Sequence, residues 1–372
     1  MVAVPTASLI PPAVAAEKPP DGAHQGADDP GDKVRIKLIG LGNLRGHYLE
    51  TSGYNPETEE YDPSRDYGLI GIECAVRGVR EDFPNTLVVS SGGNIGASPH
   101  VSSFLQDQPV ISGLNMVELD TSALGVHALD GGVKDLEDRI LPASDFPILA
   151  ANVSGSDALS AEGNGRGVFI KEVDGVRVGF IGVVTDELPK LVSSSTRAQL
   201  TVAPAVTTAN ARAADLKDSD PANGEADVVV VLSHEDAAST ATSFSKNVDA
   251  VVAGRSHVSY AQTVTGVEGN QIAVVQPDHY GLKLGMIRLN YDRDTKKVSV
   301  VNVENRDLKQ EYCHEDDFGG VDIFSYKRYN KMMDLGAARP VAQLGADYLR
   351  GSDGVTPGVH TGTESTAADL VA

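Results

Sequence analysis

The residues of this chain with the clearest chemical potential are a histidine and an aspartate three positions apart, His127 and Asp130. A carboxylate at that spacing could orient the imidazole ring and favour its protonated form. The alternative is a local hydrogen bond with a structural role only.

Three further side chains are candidate metal ligands. His234 and His257 offer imidazole nitrogens, and Asn43 offers a weak, neutral oxygen. Three histidines suffice to hold a zinc ion. The sequence therefore allows a one-metal centre in which His234 and His257 are joined by His47 or His127. A carboxylate from the residues that follow it could instead satisfy His234.

Two arginines, Arg45 and Arg255, stand close in sequence to these candidate ligands. A guanidinium group keeps its positive charge and presents a planar fork that matches a phosphate or carboxylate. Together with His127, the two arginines predict a site for a small anion such as a phosphate or a nucleotide. Salt bridges in a site without function are the alternative for both arginines.

The elements that must position these residues are strands rich in valine and isoleucine. Such runs are typical of strands buried on both faces and alternating with helices, so the pattern predicts an α/β fold. Each candidate residue follows the end of a predicted strand, and in open α/β sheets ligands bind at that edge. The predicted strands lie at 34–42, 86–94, 146–153, 226–236 and 248–257, with paired strands in 167–184 and 272–292 and helices at 66–83 and from 114.

Five sequence blocks, in order, resemble those of the 5′-nucleotidase family, which are secreted members of the calcineurin-like metallophosphoesterases. The blocks are GLGNLRGHYL (40–49), SSGGNIGASP (90–99), LGVHALDGG (124–132), LSHED (232–236) and AGRSHV (253–258). The resemblance implies a layered α/β/β/α sandwich over residues 33–310. It further implies a linker helix at 311–340 and, at 341–372, the truncated start of a second α/β domain, the family's C-terminal domain.

The resemblance also implies an activity, because family members hydrolyse nucleotide phosphate esters with two divalent cations of the Mn, Zn or Mg type. It makes His127 and Asp130 the catalytic candidates, because they keep the spacing of the family's H-x-x-D, whose histidine stabilises the transferring phosphoryl group. In this chain Arg45, Gly93, Val126 and Arg255 stand at positions where the family has metal ligands, and Gly93 replaces the carboxylate that bridges both ions. Without that bridge two dications repel each other, so we expect an impaired hydrolase with one metal ion or none. A non-catalytic anion-binding protein and a surface interaction module are the alternatives.

Composition limits the partners and the location of the protein. The 372 residues carry 31 basic and 52 acidic side chains, a net charge of −21, which disfavours a nucleic-acid polymer as partner. No apolar run approaches the roughly 18 residues of a membrane span. The apolar leader at 2–16, followed by a Pro-, Gly- and Asp-rich stretch at 17–32, predicts export to the cell envelope or beyond. The two cysteines are expected to be unpaired thiols, with a single bridge between them as the alternative.

Overall fold

The computed structural model describes residues 33–49 and 68–308, and between them only the backbone of two short strands at 53–55 and 60–62. The leader, the predicted linker helix and the predicted start of a second domain lie outside the described residues. So do Cys313 and the acidic loop that contains it.

In this part of the chain the strands are β1 (Lys33–Leu41), β2 (Gly53–Asn55), β3 (Glu60–Asp62), β4 (Thr86–Ser90), β5 (Thr121–Ala123), β6 (Ile148–Leu149), β7 (Val153–Ser154), β8 (Val168–Val173), β9 (Val176–Val184), β10 (Thr201–Val202), β11 (Val228–His234), β12 (Ala250–Ala253), β13 (Ser259–Thr265), β14 (Gln271–Pro277), β15 (Lys283–Asp292) and β16 (Lys297–Asp307). The helices are α1 (Gly68–Asp82), α2 (His100–Ser103), α3 (Gln108–Met116), α4 (Val133–Asp135), α5 (Leu141–Ala143), α6 (Asp157–Glu162), α7 (Leu188–Leu191), α8 (Ser194–Arg197), α9 (Ala205–Asp215) and α10 (Ala237–Thr240).

Two six-stranded sheets form the centre of the fold. The first has the order β16-β15-β1-β4-β5-β6, and its strands β1, β4, β5 and β6 are parallel. The second has the order β13-β14-β12-β11-β9-β8, with β9, β11, β12 and β14 parallel. Antiparallel strands occupy the outer positions of both sheets except at β6. All residues of β4 and β11 are buried, as expected for strands covered on both faces.

The hydrophobic core is arranged in three layers. One lies between the two sheets and contains Ile36, Phe180 and Val230. The second packs the apolar face of α1, together with α3, on the first sheet. The third packs α9 and α10 on the second sheet. Helices therefore cover the outer face of each sheet, which confirms the predicted α/β/β/α sandwich.

Some local predictions were wrong. The helix expected from residue 114 lies upstream, because α3 ends at Met116, and β13 and β16 were not predicted. Cys74 is disulfide-bonded, so the expectation of unpaired thiols is also wrong. No helix among the described residues is both long and apolar enough to cross a bilayer.

Candidate functional site

Loops that follow parallel strands meet at one edge of the sandwich. The N–H groups of Asn43 and Arg45, after β1, donate to the carbonyls of Gly92 and Gly93, after β4, at 3.0 and 2.9 Å. The N–H of Tyr280, after β14, donates to the carbonyl of Asn43 at 2.9 Å. These bonds join loops from both sheets, so residues distant in sequence line one site.

The backbone of this edge is unusual. Six of its residues other than glycine have a positive φ, a conformation that costs about 1–3 kcal/mol each and persists only where the surroundings enforce it. These residues are Asn43 (50°), Arg45 (50°), Arg255 (90°), His257 (55°), Asp278 (71°) and Tyr280 (55°). Such clustering is typical of functional sites, so these loops form the candidate site.

His234, the last residue of β11, is completely buried. Its Nδ1–H donates to the carbonyl of Ser91 at 3.0 Å, and its Nε2 has no partner among the described residues. Burial, and then the positive charges of Arg45 and Arg255, lower the pKa of His234 to about 3, while the bond to Ser91 opposes the shift. The ring is therefore neutral and presents the Nε2 lone pair. A carboxylate is not its partner, contrary to the alternative considered from sequence.

Asn43 fills the space beside Gly93. It is completely buried, and neither Nδ2 nor Oδ1 has a hydrogen-bond partner in the described ranges. A Cβ atom built on Gly93 would lie 2.6 Å from Asn43 Oδ1 and 3.0 Å from His234 Cε1, on a backbone with φ +70°. Position 93 therefore has no room for a side chain unless Asn43 moves.

Arg45 brings a positive charge to the site without a countercharge in contact. Its Nε is buried and has no partner, and no ion pair of Arg45 occurs within the described ranges. Burial lowers the pKa of Arg45, whereas Tyr280 and Asp130 raise it. Arginine side chains remain protonated in proteins, so the guanidinium keeps its charge. The site thus holds a partly desolvated cation.

Arg255 differs from Arg45 because carboxylates surround it. Its guanidinium pairs with Glu187 and lies 3.6 Å from Glu235 Oε2. The ion pair lowers the pKa of Glu187. The alternative considered from sequence, that this arginine forms salt bridges, therefore describes its contacts in the structure.

His127 and Asp130 form a pair on the same edge. Nδ1 of His127 lies 3.0 Å from Asp130 Oδ2 and 3.2 Å from Oδ1, and the imidazole is 30% exposed. Val126, which precedes the histidine, is buried in the core beneath the first sheet. Because the Nδ1 edge faces Asp130, the Nε2 edge of the ring points away from that carboxylate, and the ring remains accessible.

A row of rings borders the site. His257 stacks on His279 with ring centroids 4.8 Å apart, and His47 stacks on Tyr280 at 3.9 Å. Edge contacts of Tyr280 with His279 and His257, at 4.3 and 5.6 Å, join the two stacks. Neither His279 nor Tyr280 was named as a candidate from the sequence. The signal that could have found both is their place directly after β14, at the same sheet edge as the other loops.

The residues present do not fit a two-metal centre. His234 Nε2, Asn43 Oδ1 and His257 are the available donors, and the described residues contain no group of three or more His, Cys, Asp or Glu that could hold an ion. Paired dications need anionic bridging oxygens. Gly93, which the resemblance places at the bridging position, offers no ligand, and the charges of Arg45 and Arg255 act on His234.

The fold and the position of the site define the class: a metallophosphoesterase-type sandwich with its ligand edge at the strand ends. No protein-family model matches the chain. The cell wall protein Lmo0130 of Listeria monocytogenes is 31% identical over 183 residues, covering 43% of this chain and 23% of that protein. The trifunctional nucleotide phosphoesterase YfkN of Bacillus subtilis is 26% identical over 313 residues, 74% of this chain and 20% of that protein. The 5′-nucleotidase of Rattus norvegicus is 25% identical over 244 residues, 60% of this chain and 41% of that protein.

Solved structures share the fold. The Haemophilus influenzae NAD nucleotidase NadN matches with a TM-score of 0.69 at 15% identity, over 86% of this chain and 64% of that chain. The calcineurin-like phosphoesterase YfkN of Bacillus subtilis matches with a TM-score of 0.64 at 21% identity, over 82% of this chain and 99% of that chain. Curated relatives and solved structures both point to the 5′-nucleotidase / calcineurin-like phosphoesterase family. It spans 20% to 41% of the length of the three curated relatives.

Proposed function

We propose that this protein is an exported member of its family in which phosphate-ester hydrolysis is impaired and the site binds a small phosphate-bearing anion, a phosphate or a nucleotide, without metal. The observation that carries the proposal is the exchange at the bridging position. Asn43 closes the space beside Gly93, and the half-buried cation Arg45 stands where the resemblance places a metal ligand.

Impaired hydrolysis follows from the charges. In a two-metal site the ions lower the pKa of a bound water and stabilise the charge that develops on the phosphoryl group. An arginine can stabilise the charge on the phosphoryl group. It cannot lower the pKa of a water molecule as a metal ion does, because it does not coordinate water. His127 beside Asp130 could still donate a proton or a hydrogen bond to a phosphate oxygen.

Anion binding is supported by unsatisfied donors. The Nε–H of Arg45 and the Nδ2–H groups of Asn43 are buried without partners among the described residues, and such groups require an explanation. An oxyanion that accepts from both would satisfy them, and a charged acceptor makes these bonds stronger than neutral ones. The names of NadN, YfkN and the rat 5′-nucleotidase refer to nucleotides, which supports a nucleotide as one form of this anion.

Export is supported by three independent features. The leader at 2–16 has the composition of a secretory segment. The relative from Listeria is a cell wall protein. Cys74 is disulfide-bonded, and disulfides persist chiefly in oxidising compartments outside the cytosol. The proposed organisation is a phosphoesterase-like domain at 33–310, a linker helix at 311–340 and the beginning of a second domain at 341–372.

A hydrolase with one metal ion is the second candidate. It is favoured by the Nε2 of His234 and the Oδ1 of Asn43, which are both buried and without partners in the described ranges and could ligate one ion. The bond from Nδ1 to Ser91 fixes the tautomer that such a ligand needs.

The test is calorimetric titration with inorganic phosphate and with AMP after treatment with EDTA, for the wild type and for Arg45→Gln. Binding that survives the chelator and is lost in Arg45→Gln supports the proposal. Arg293→Gln is the matched control, because it removes the same charge at the turn after β15, at the opposite end of the sheet. Release of phosphate from p-nitrophenyl phosphate that requires added Mn, Zn, Co or Mg would instead support the one-metal hydrolase.

A further inference from the structure

The two arginines of the site have different surroundings, and the difference determines what each can do. Arg45 has no ion pair within the described ranges, whereas Arg255 is held between Glu187 and Glu235. Two carboxylates against one guanidinium leave a net negative charge at that corner. An anion that approaches Arg255 therefore meets repulsion from two paired carboxylates, whereas no carboxylate forms an ion pair with Arg45 in the described ranges.

The fold keeps Glu235 in place. Its Oε1 accepts the N–H of Asp186 at 2.9 Å, and the carboxylate of Asp186 accepts the N–H of Ala205, the first residue of α9, at 2.7 Å. The side chain of Glu235 is only 15% exposed. One of the two carboxylates around Arg255 is thus fixed by hydrogen bonds that reach the start of a helix.

Glu187 is the more exposed of the two carboxylates. Its side chain is 50% exposed and comes from the loop between β9 and α7. It contacts Arg255 across 68 residues of sequence. A surface carboxylate of this kind can be replaced without disturbing the core, and its removal leaves Arg255 with the more distant Glu235 alone.

We propose, on the basis of the proposed function, that Glu187 and Glu235 are internal competitors that withhold Arg255 from the bound anion, so that Arg45 binds the anion and Glu187 sets the affinity. A carboxylate and a phosphate compete for one guanidinium group, because both accept hydrogen bonds from the same N–H donors. Neutralising Glu187 then strengthens binding in two ways. It removes a like charge and frees one edge of Arg255.

The experiment is titration of the EDTA-treated full chain with inorganic phosphate for the wild type, Glu187→Gln and the double variant Glu187→Gln with Arg255→Gln. Removal of one like charge close to the anion raises its affinity several-fold. We expect at least that gain in Glu187→Gln and its loss in the double variant. Glu118→Gln is the control, since it breaks the exposed pair with Arg80 and changes the net charge equally.

The outcomes separate this inference from the proposed function. Phosphate binding by the wild type that is unchanged or weaker in Glu187→Gln would overturn the inference and leave the proposed function standing. An equal gain in Glu118→Gln would also overturn it, since only net charge would then matter. Binding that appears only in Glu187→Gln would support the inference. Absence of binding in every variant would overturn both.

Discussion

Replacement of Gly93 by alanine tests whether the position of the family's bridging carboxylate is closed. The new Cβ atom would lie 2.6 Å from Asn43 Oδ1 and 3.0 Å from His234 Cε1, and the backbone at 93 has φ +70°. A left-handed conformation costs a residue with a Cβ about 1–2 kcal/mol. Overpacking of a buried site adds about 1–3 kcal/mol. Together these terms predict a loss of about 3 kcal/mol in the free energy of unfolding.

Gly165→Ala is the matched control. Gly165 has φ +72°, and a Cβ atom there would meet no atom within 4 Å. This variant carries only the backbone cost, about 1–2 kcal/mol. The difference between the two variants therefore isolates the contact with Asn43 and His234.

Chemical denaturation of both variants, followed by far-ultraviolet circular dichroism, measures this difference. The same pair of measurements in an Asn43→Gly background identifies the cause. Asn43 has φ +50°, which glycine adopts without strain, and loss of its side chain should remove much of the added cost at 93. Equal losses in Gly93→Ala and Gly165→Ala would refute the reasoning, because the space beside Gly93 would then be open.

Two further predictions concern stability. His234 is neutral when folded but titrates near pH 6.5 when unfolded, so stability should be constant above that pH and fall as pH drops from 6.5 towards 3, by about 2 kcal/mol at pH 5. Denaturation of EDTA-treated protein at pH 7 and 5 measures this loss, and an equal loss in His234→Gln would contradict the assignment. Lys217→Met should cost about 3 kcal/mol, because it strands the buried Asp249, whose Oδ2 lies 2.9 Å from Lys217 Nζ. Lys134→Met breaks an exposed ion pair and should change the unfolding midpoint little. Equal losses of stability in Lys217→Met and Lys134→Met would refute the difference expected between the two ion pairs.

The fold was largely predictable because its strands are continuous apolar runs. Such runs in β9 and β11 identify strands covered on both faces without knowledge of their partners. The convergence of Asn43 and His234 followed from the same pattern, since each stands at the end of a parallel strand. The edge strands β13 and β16 were missed because their residues alternate only weakly between buried and exposed positions.

The contacts that give the site its character were not predictable, because they join distant parts of the chain. The pair between Arg255 and Glu187 depends on how the loop after β9 packs against the loop after β12. The closure of Gly93 by Asn43 depends on a rotamer and on two left-handed residues. The disulfide of Cys74 was not predictable either, because two cysteines alone do not reveal whether they pair.

The most direct test of the account is the metal content of the purified protein. The protein is incubated with Mn and Zn, desalted and measured by elemental analysis against protein concentration. The account predicts well below one divalent ion per chain. By the resemblance, Asn43 and Gly93 stand in place of carboxylate ligands, and Arg45 and Arg255 add positive charge where two ions would bind. Two ions per chain would contradict it and restore a two-metal phosphoesterase.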